Sequence, residues 1–477
     1  MVEAPDFPVG KTNNENKGDT MSRILIAVLA CFVVALPAGA QHQLADKPFS
    51  MALTGDSIIT RPLSVYGEPE FLEMIELIRD ADVAFTNLEM LFHDYEPYPM
   101  ATSGGTYMRG DPVLAEELAW AGFDMVARAN NHSGDYGVLG MNLTTEYVDA
   151  AGIVQAGVGQ SLAEAREAKF LETGTARVAL ISISSTFASH MAAGRSRDNV
   201  PPRPGLNPLR FSTTYELPQD DFDDLRALGE SLDLFTDQDG DSTGTDDDKP
   251  GQFELFDEWF APAEKPAVRT TARQSDVEEI ASVVNNASRL ADYVIVTIHA
   301  HEHGGRREVS AEFLPVFARL MIDAGADVFV GHGPHVLRGI EIYEGKPIMY
   351  SLGDFMFQNE SLLRLPEDNY ARYDLDENQH VADFNAARYD NDTSGFPSLP
   401  GIWEAVIAVP VFVGEELTEL ALHPITLGHG QPVQVRGRPL LASGELAEKI
   451  IGDLQRLSEP FGTGITMRRG VGYVTLQ

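Results

Sequence analysis

Along most of the chain, short apolar runs alternate with stretches whose apolar residues recur every three or four positions. Residues 50–58 read as a buried strand that ends near Asp56. Phe71, Leu72, Ile75 and Ile78 carry helical spacing, which predicts a helix over 69–80. A strand over 82–87 follows and delivers Asn87 and Glu89. A helix over 112–121 has Pro112 at its start and Gly122 just past its end. The run 123–128 predicts a strand leading into Asn130-Asn131-His132, then a helix near 138–151 and a strand over 178–183. The pattern breaks and resumes with helix 276–290, strand 292–299, helix 310–324, and strands 326–331 and 348–353. Residues 402–427 alternate strongly and read as antiparallel strands; a short helix at 444–458 and a tail strand at 471–476 close the chain. This order predicts a mixed α/β architecture with much parallel pairing.

Two stretches interrupt the pattern. Residues 190–275 are rich in Asp, Pro, Gly and Arg and read as an acidic insertion. Within it, Asp237, Asp239, Asp241, Asp246, Asp247 and Asp248 form a tract with two readings. One is a solvated loop; the other is a calcium site over 237–248, although Ser242 stands where a helix–loop–helix calcium loop needs Gly. A second acidic insertion covers 359–400.

Near the N-terminus, Arg23 precedes an apolar run that closes with Ala38-Gly39-Ala40. This predicts a signal peptide over 21–40, cut before Gln41, with residues 1–20 an over-extended N-terminus. The protein is then exported, to the periplasm, the cell envelope or the medium. It stays membrane-anchored if the segment is not cut, and has no stable span once it is. Cys31, the one cysteine, lies in that segment, so the mature chain has no disulfide, no thiolate metal site and no cysteine nucleophile.

The 477 residues are 43% hydrophobic, enough for a large core. Lys and Arg number 35 against 72 Asp and Glu, a net charge of −37. Such a surface repels nucleic acid and anionic lipid.

The candidate chemistry sits at predicted strand ends. Six of the 12 histidines fall there in three clusters: His132; His299, His301 and His303; His332 and His335. With Asp56, Glu89 and Asn131 they supply oxygen and imidazole groups from successive strand ends, as an α/β fold collects them for a two-metal hydrolytic site. Each residue also has a plainer reading. Asp56 could cap a helix, Glu89 could be an exposed loop acid, and Asn131-His132 could form an Asx turn. In the metal reading, Asn131 offers an amide oxygen while His132 gives a proton to a leaving group. Gly333 and Pro334 force a turn that can bring His332 and His335 to one centre.

Several motifs together resemble the CapA family of bacterial capsule-synthesis proteins, associated with poly-γ-glutamate, within the calcineurin-like metallophosphoesterase superfamily. They are Thr54-Gly-Asp56, Asn87-Leu-Glu89, Ala129-Asn-Asn-His-Ser-Gly-Asp-Tyr-Gly137, His299, the stretch 325–337 containing Gly331-His-Gly-Pro-His335, and Tyr350-Ser-Leu-Gly-Asp-Phe355. The resemblance implies a four-layer α/β/β/α sandwich over 41–358, with the acidic insertions and a β-rich C-terminal extension over 401–477 packed on the same domain. It implies two divalent metals, Mn, Fe or Zn. Asp56, Glu89 and His335 would hold one and Glu89, Asn131, His299 and His332 the other, with His132 as general acid. Arg109, His301, His303, Arg306 and Arg338 would steady an anionic substrate. Ile58 and Asp354 stand where these relatives usually carry His and Asn, and His301 is placed to compensate. The expected activity is metal-dependent hydrolysis of a phosphoester or an amide-linked anionic polymer, in capsule or envelope polymer synthesis or processing, with a capsule-synthesis complex as the expected partner. Alternatives on the same fold are a non-catalytic polymer tether or export factor, and a phosphodiester or nucleotide hydrolase unrelated to capsule.

Overall fold

The computed structural model describes residues 47–235 and 251–476. The signal-peptide segment, Cys31 and the 237–248 aspartate tract lie outside the described residues. Two sheets carry the fold. In the first, the strand Pro48–Ile58 lies at the centre. It pairs in parallel with Val83–Leu88, which leads through Met125–Ala127 to Val154–Ala156. On its other side it pairs antiparallel with Glu404–Val413, then Glu416–Thr426 and the C-terminal hairpin. The C-terminal strands therefore extend the first sheet. The second sheet runs Ile340–Tyr343, Lys346–Met349, Val328–His332, Tyr293–His299, Arg177–Ser184, Lys169–Glu172.

Three apolar layers make this a four-layer α/β/β/α sandwich. Met51, Leu53, Phe85 and Met125 of the first sheet meet Val178, Leu180, Ile295, Val328 and Val330 of the second in the middle layer. The helix Pro69–Arg79 turns Phe71, Met74, Ile75 and Ile78 onto the outer face of the first sheet. Gln274–Ala287 and Phe313–Asp323 do the same on the second, through Val277, Ile280 and Val284 and through Phe313, Phe317 and Met321. Their buried residues recur at three- and four-residue intervals, which is why these segments are helices.

Two expectations need correction. The run 348–353 is not one strand. Lys346–Met349 belongs to the second sheet; the chain then crosses, with Gly353 at φ +77°, and Asp354–Phe357 pairs in parallel with Pro48–Ile58 in the first. Gly55 permits the crossing, because a Cβ there would come within 1.7 Å of the Gly353 carbonyl oxygen. The stretch 190–275, expected as an acidic insertion, carries regular structure of its own. It contains a four-stranded sheet of Phe253–Leu255, Glu258–Pro262, Phe211–Leu217 and Ala267–Ala272, and the helix Gln219–Ser231. Phe222, Phe253 and Leu255 give it a small apolar cluster of its own. The second insertion, 359–400, holds the helices Glu367–Ala371 and Val381–Arg388. Among the described residues no helix is long and apolar enough to cross a membrane.

The middle layer should dominate stability. Ile295 is fully buried between the sheets. We expect Ile295→Ala to cost about 2–5 kcal/mol, read as a lower denaturation midpoint in guanidinium at unchanged slope.

Candidate metal centre

Alternation along the strands builds most of the site. In Val83–Leu88, Val83 and Phe85 point into the middle layer, and the same parity carries on to Asn87 and Glu89. In Tyr293–His299 the sequence Tyr293, Ile295, Thr297, His299 follows one face, and in Val328–His332 the sequence Val328, Val330, His332 does. Register brings the tips level: His299 sits opposite His332, and Asp56 opposite both Asn87 and Asp354. Asp56 alone violates parity. Met51 and Leu53 face the middle layer, so Asp56 should face outward. A register shift between Leu53 and Asp56 inserts one extra residue and turns the carboxylate inward.

The resulting cluster is dry and crowded. Asp56, Glu89, His299, His332 and Asp354 are fully buried. Asp56 Oδ1 accepts from Asn87 Nδ2 at 2.7 Å and lies 3.5 Å from His299 Nδ1 and 3.4 Å from His332 Nδ1. Its Oδ2 accepts from the Gly333 backbone N–H at 2.8 Å. His299 Nε2 is 2.9 Å from His301 Nε2 and 3.7 Å from Glu89 Oε1. His335, in a left-handed backbone conformation at φ +58°, puts Nδ1 2.8 Å from Asp354 Oδ1. Such strain in a non-glycine residue persists where its surroundings over-determine it.

Three sets of ligand atoms converge within 4.8 Å of one another: Asp56 with His299 and His332; Glu89 with His301 and His335; Asp56 with His335 and Asp354. The grouping differs from the expected one, since His299 and His332 gather at Asp56 and His301 joins Glu89. Asp354, expected only as a departure from the family pattern, lies in the cluster.

The donor set fits divalent cations on two counts. Both oxygens of Glu89, Asp354 Oδ2 and Asn131 Oδ1 are buried without a hydrogen-bond partner. Orphaned buried carboxylate oxygens are costly, and a cation relieves the cost. In addition, the Thr297 hydroxyl donates to the Val330 carbonyl at 2.9 Å, so at 2.8 Å it accepts from His332 Nε2–H. The other ring nitrogen, Nδ1, is then a lone pair 3.0 Å from His299 Nδ1 and 3.4 Å from Asp56 Oδ1, open to a proton on His299 or to a cation.

Electrostatics agree. Burial, and then the charges of Asp56, Asp354 and Asp135, push the Glu89 carboxyl well above its ordinary range. Burial, opposed only in part by His335, raises Asp354 to about 6. Burial would also raise Asp56, but its contacts with the imidazoles, the hydrogen bond from His299 first, overcome it and hold Asp56 well below its usual range. Burial drops His299 to about 4 and His301 well below its ordinary value, which leaves these rings neutral and ready to ligate at neutral pH.

His132 is placed for proton transfer. Its Nδ1 lies 2.7 Å from Asp135 Oδ2 and its Nε2 3.7 Å from Glu89 Oε1. Asp135 also accepts from the backbone N–H groups of Gly104 and Met108, at 2.9 and 2.8 Å. Asn131 donates Nδ2 to the Gly104 carbonyl at 2.9 Å, which leaves its Oδ1 as the free end of the amide.

Above the cluster lies a cavity of about 330 Å³. Asn131, His132, His301, His303 and His335 line it, together with Arg307 and Arg388. The three arginines expected at the substrate, Arg109, Arg306 and Arg338, are not on its wall. Arg109 is buried and donates to the His93 carbonyl and Asp94. Arg338 is buried and ties down the strand-end loop through the carbonyls of Ala300, His301, Glu302 and Arg307, at 2.9–3.3 Å. Arg306 is exposed on that loop. Asp135, Arg307 and Arg388 were not singled out by sequence reasoning, and Asp354 was singled out only as a departure from the family pattern. Asp135 alone had a local signal, three residues after His132.

Glu89 should destabilise the metal-free protein. A carboxyl whose folded pKa is raised contributes stability below its unfolded pKa and loses it as pH rises through the folded value. We therefore expect Glu89→Gln to raise the melting temperature of chelator-treated protein by about 1 °C, the equivalent of about 1 kcal/mol in a chain of this length. The gain should grow with pH, and the variant should lose the melting-temperature increase that added Mn or Zn produces in the wild type.

Comparisons with known proteins agree with these features. Residues 50–359 match the family model described as bacterial capsule synthesis protein PGA_cap. The protein y4sH of Sinorhizobium fredii is 38% identical over 443 residues, covering 90% of this chain and 93% of the relative. The capsule biosynthesis protein CapA of Bacillus anthracis is 23% identical, over 74% of this chain and 70% of its own length. The PGA biosynthesis protein CapA of Bacillus subtilis is 24% identical, over 77% and 80%. Matched over most of its folded length, with the buried acid–imidazole cluster inside the match, this chain belongs to the bacterial capsule synthesis PGA_cap family.

Proposed function

We propose that the protein is an exported, metal-dependent hydrolase acting on an anionic envelope polymer during capsule or polyglutamate synthesis. The observation that carries the reading is the cluster of orphaned carboxylate oxygens of Glu89 and Asp354 among the imidazoles of His299, His301, His332 and His335 under an open cavity. Asp56, His299 and His332 would hold one divalent ion, and Glu89, His301 and His335 a second, with Asp354 and Asn131 completing the shell. Mn, Fe or Zn suits this mixed oxygen and imidazole set. Bound there, the ions would supply Lewis acidity to the scissile group and to water.

The chain's own residues supply the remainder. Asp135 accepts the Nδ1 proton of His132, which keeps Nε2 as the nitrogen that passes a proton toward the cavity. The Gly333 N–H and Asn87 Nδ2 fix both oxygens of Asp56. Arg338 holds the loop that carries His301 and His303. The polymer assignment rests on the family and on the printed descriptions of the Bacillus relatives, and export rests on the apolar segment 21–40.

The test is metal analysis of the mature protein, residues 41–477, with turnover of a γ-glutamyl amide and of a generic phosphodiester. About two ions per chain are expected. His332→Ala and Asn131→Ala should lose metal and at least about 100-fold in turnover, about 2.7 kcal/mol of barrier. Absence of bound metal in protein offered Mn, Fe and Zn, with no turnover of either substrate, would overturn the hydrolase and favour polymer tethering.

A further inference from the structure

His301 is the one member of the three converging ligand sets that is only half-buried. It lies past the end of the strand Tyr293–His299, so no ladder of strand hydrogen bonds fixes it. Alternation nevertheless continues for two residues. The Ala300 N–H turns to one neighbouring strand and donates to the His332 carbonyl at 2.9 Å. The His301 N–H turns to the other, where Ser185 and Thr186 follow the strand Arg177–Ser184, and donates to the Thr186 hydroxyl at 2.9 Å. That hydroxyl is itself held by Glu302. Glu302 Oε1 accepts from Thr186 Oγ1 and Oε2 accepts from Ser185 Oγ, both at 2.7 Å. A carboxylate only accepts, so both hydroxyl protons point at Glu302, and the lone pairs of Thr186 are left for the His301 N–H. Ser185 ties the base of this clamp to the strand, its N–H donating to the His299 carbonyl at 3.0 Å. Arg338 takes the carbonyls of Ala300, His301 and Glu302 at 2.9–3.3 Å.

We propose that Glu302, acting through the hydroxyls of Ser185 and Thr186, is a positioning residue that holds the His301 imidazole against Glu89 and His335. The proposal rests on the metal reading of the cluster and adds what places its half-exposed member. His301 Nε2 lies 2.9 Å from His299 Nε2, and a ring nitrogen of His301 comes within 4.8 Å of ligand atoms of Glu89 and His335. A ring at the wall of an open cavity is not locked by packing on every side, so the backbone that carries it sets its direction. Thr186 binds the N–H of His301 and Arg338 binds its carbonyl. Both peptide planes that flank His301 are thereby fixed, which leaves the ring only its side-chain torsions. Glu302 is absent from the converging ligand sets, and hydroxyls take both of its oxygens, so it acts on the site through them.

The test has two arms, both on full-length mature protein. In chelator-stripped protein, hydrogen exchange read by mass spectrometry follows the His301 amide. Thr186→Val and Glu302→Ala should speed its exchange at least about tenfold, while the strand Val328–His332 keeps its wild-type rate. Calorimetric titration with manganese chloride follows the ions. Both variants should bind one ion at least about tenfold more weakly and the other as the wild type does. Thr186→Ser keeps the hydroxyl and should match the wild type in both arms. Thr186→Val removes only the hydroxyl, so it reads the clamp even where Glu302→Ala fails to fold. Unchanged exchange at His301 in the folded variants overturns the clamp. Faster exchange with both ions held as tightly as in the wild type, or equal weakening of both ions, overturns the positioning of His301. The exchange arm needs no metal, so failure of the metal reading shows in the wild-type ion count alone.

Discussion

Everything at the site follows from one electrostatic debt, the burial of carboxylates that no protein group satisfies. Glu89 brings two bare oxygens to the floor of a cavity, and Asp354 brings one. Without a cation, such groups shed their charge by taking up protons at the expense of stability. The surrounding imidazoles do not cancel that charge, since burial keeps His299 and His301 neutral. The fold therefore holds a ligand set whose charge is balanced only by an added ion, and the rigid middle layer beneath it supplies the stability that offsets the cost.

That rigidity comes from the strands that carry the ligands. Tyr293–His299 and Val328–His332 are buried along their whole length and end in the site. Their tips are pinned by the Thr297 hydroxyl and by the Gly333 N–H. Arg338, expected at the substrate, instead gathers four backbone carbonyls of the loop above. A guanidinium that gives four of its five N–H groups to carbonyls fixes backbone and keeps no paired donors for an anion. The arginines on the cavity wall are its neighbour Arg307 and the distant Arg388.

Much of the architecture was legible in the chain. Short apolar runs ending in Asn87, His299 and His332, and period-3.6 segments such as Pro69–Arg79, predicted the strands and the helices, and the family motifs implied the sandwich. The legible residues share a property: each lies on a regular element whose alternation sets its direction. Segments lacking strong periodicity were read as loops, so the small sheet within 190–275 went unseen. Its strands are short and only half-buried, which weakens the apolar signal. The run 348–353 misled because both of its halves are apolar, while the sheet change depends on Gly353 and on the close approach of Gly55.

By itself, then, the sequence determined which residue types stand at the strand tips, because alternation and burial are local properties carried by neighbours in the chain. Tertiary structure decided how they group. The inward turn of Asp56 depends on a bulge, and a bulge exists only in register with a partner strand. The place of Asp354 depends on its strand pairing with Pro48–Ile58, nearly 300 residues upstream. The place of Arg388 on the cavity wall depends on the second insertion packing beside the site. Such long-range pairings leave no periodic trace, since their energy comes from contacts between segments and not from order within one.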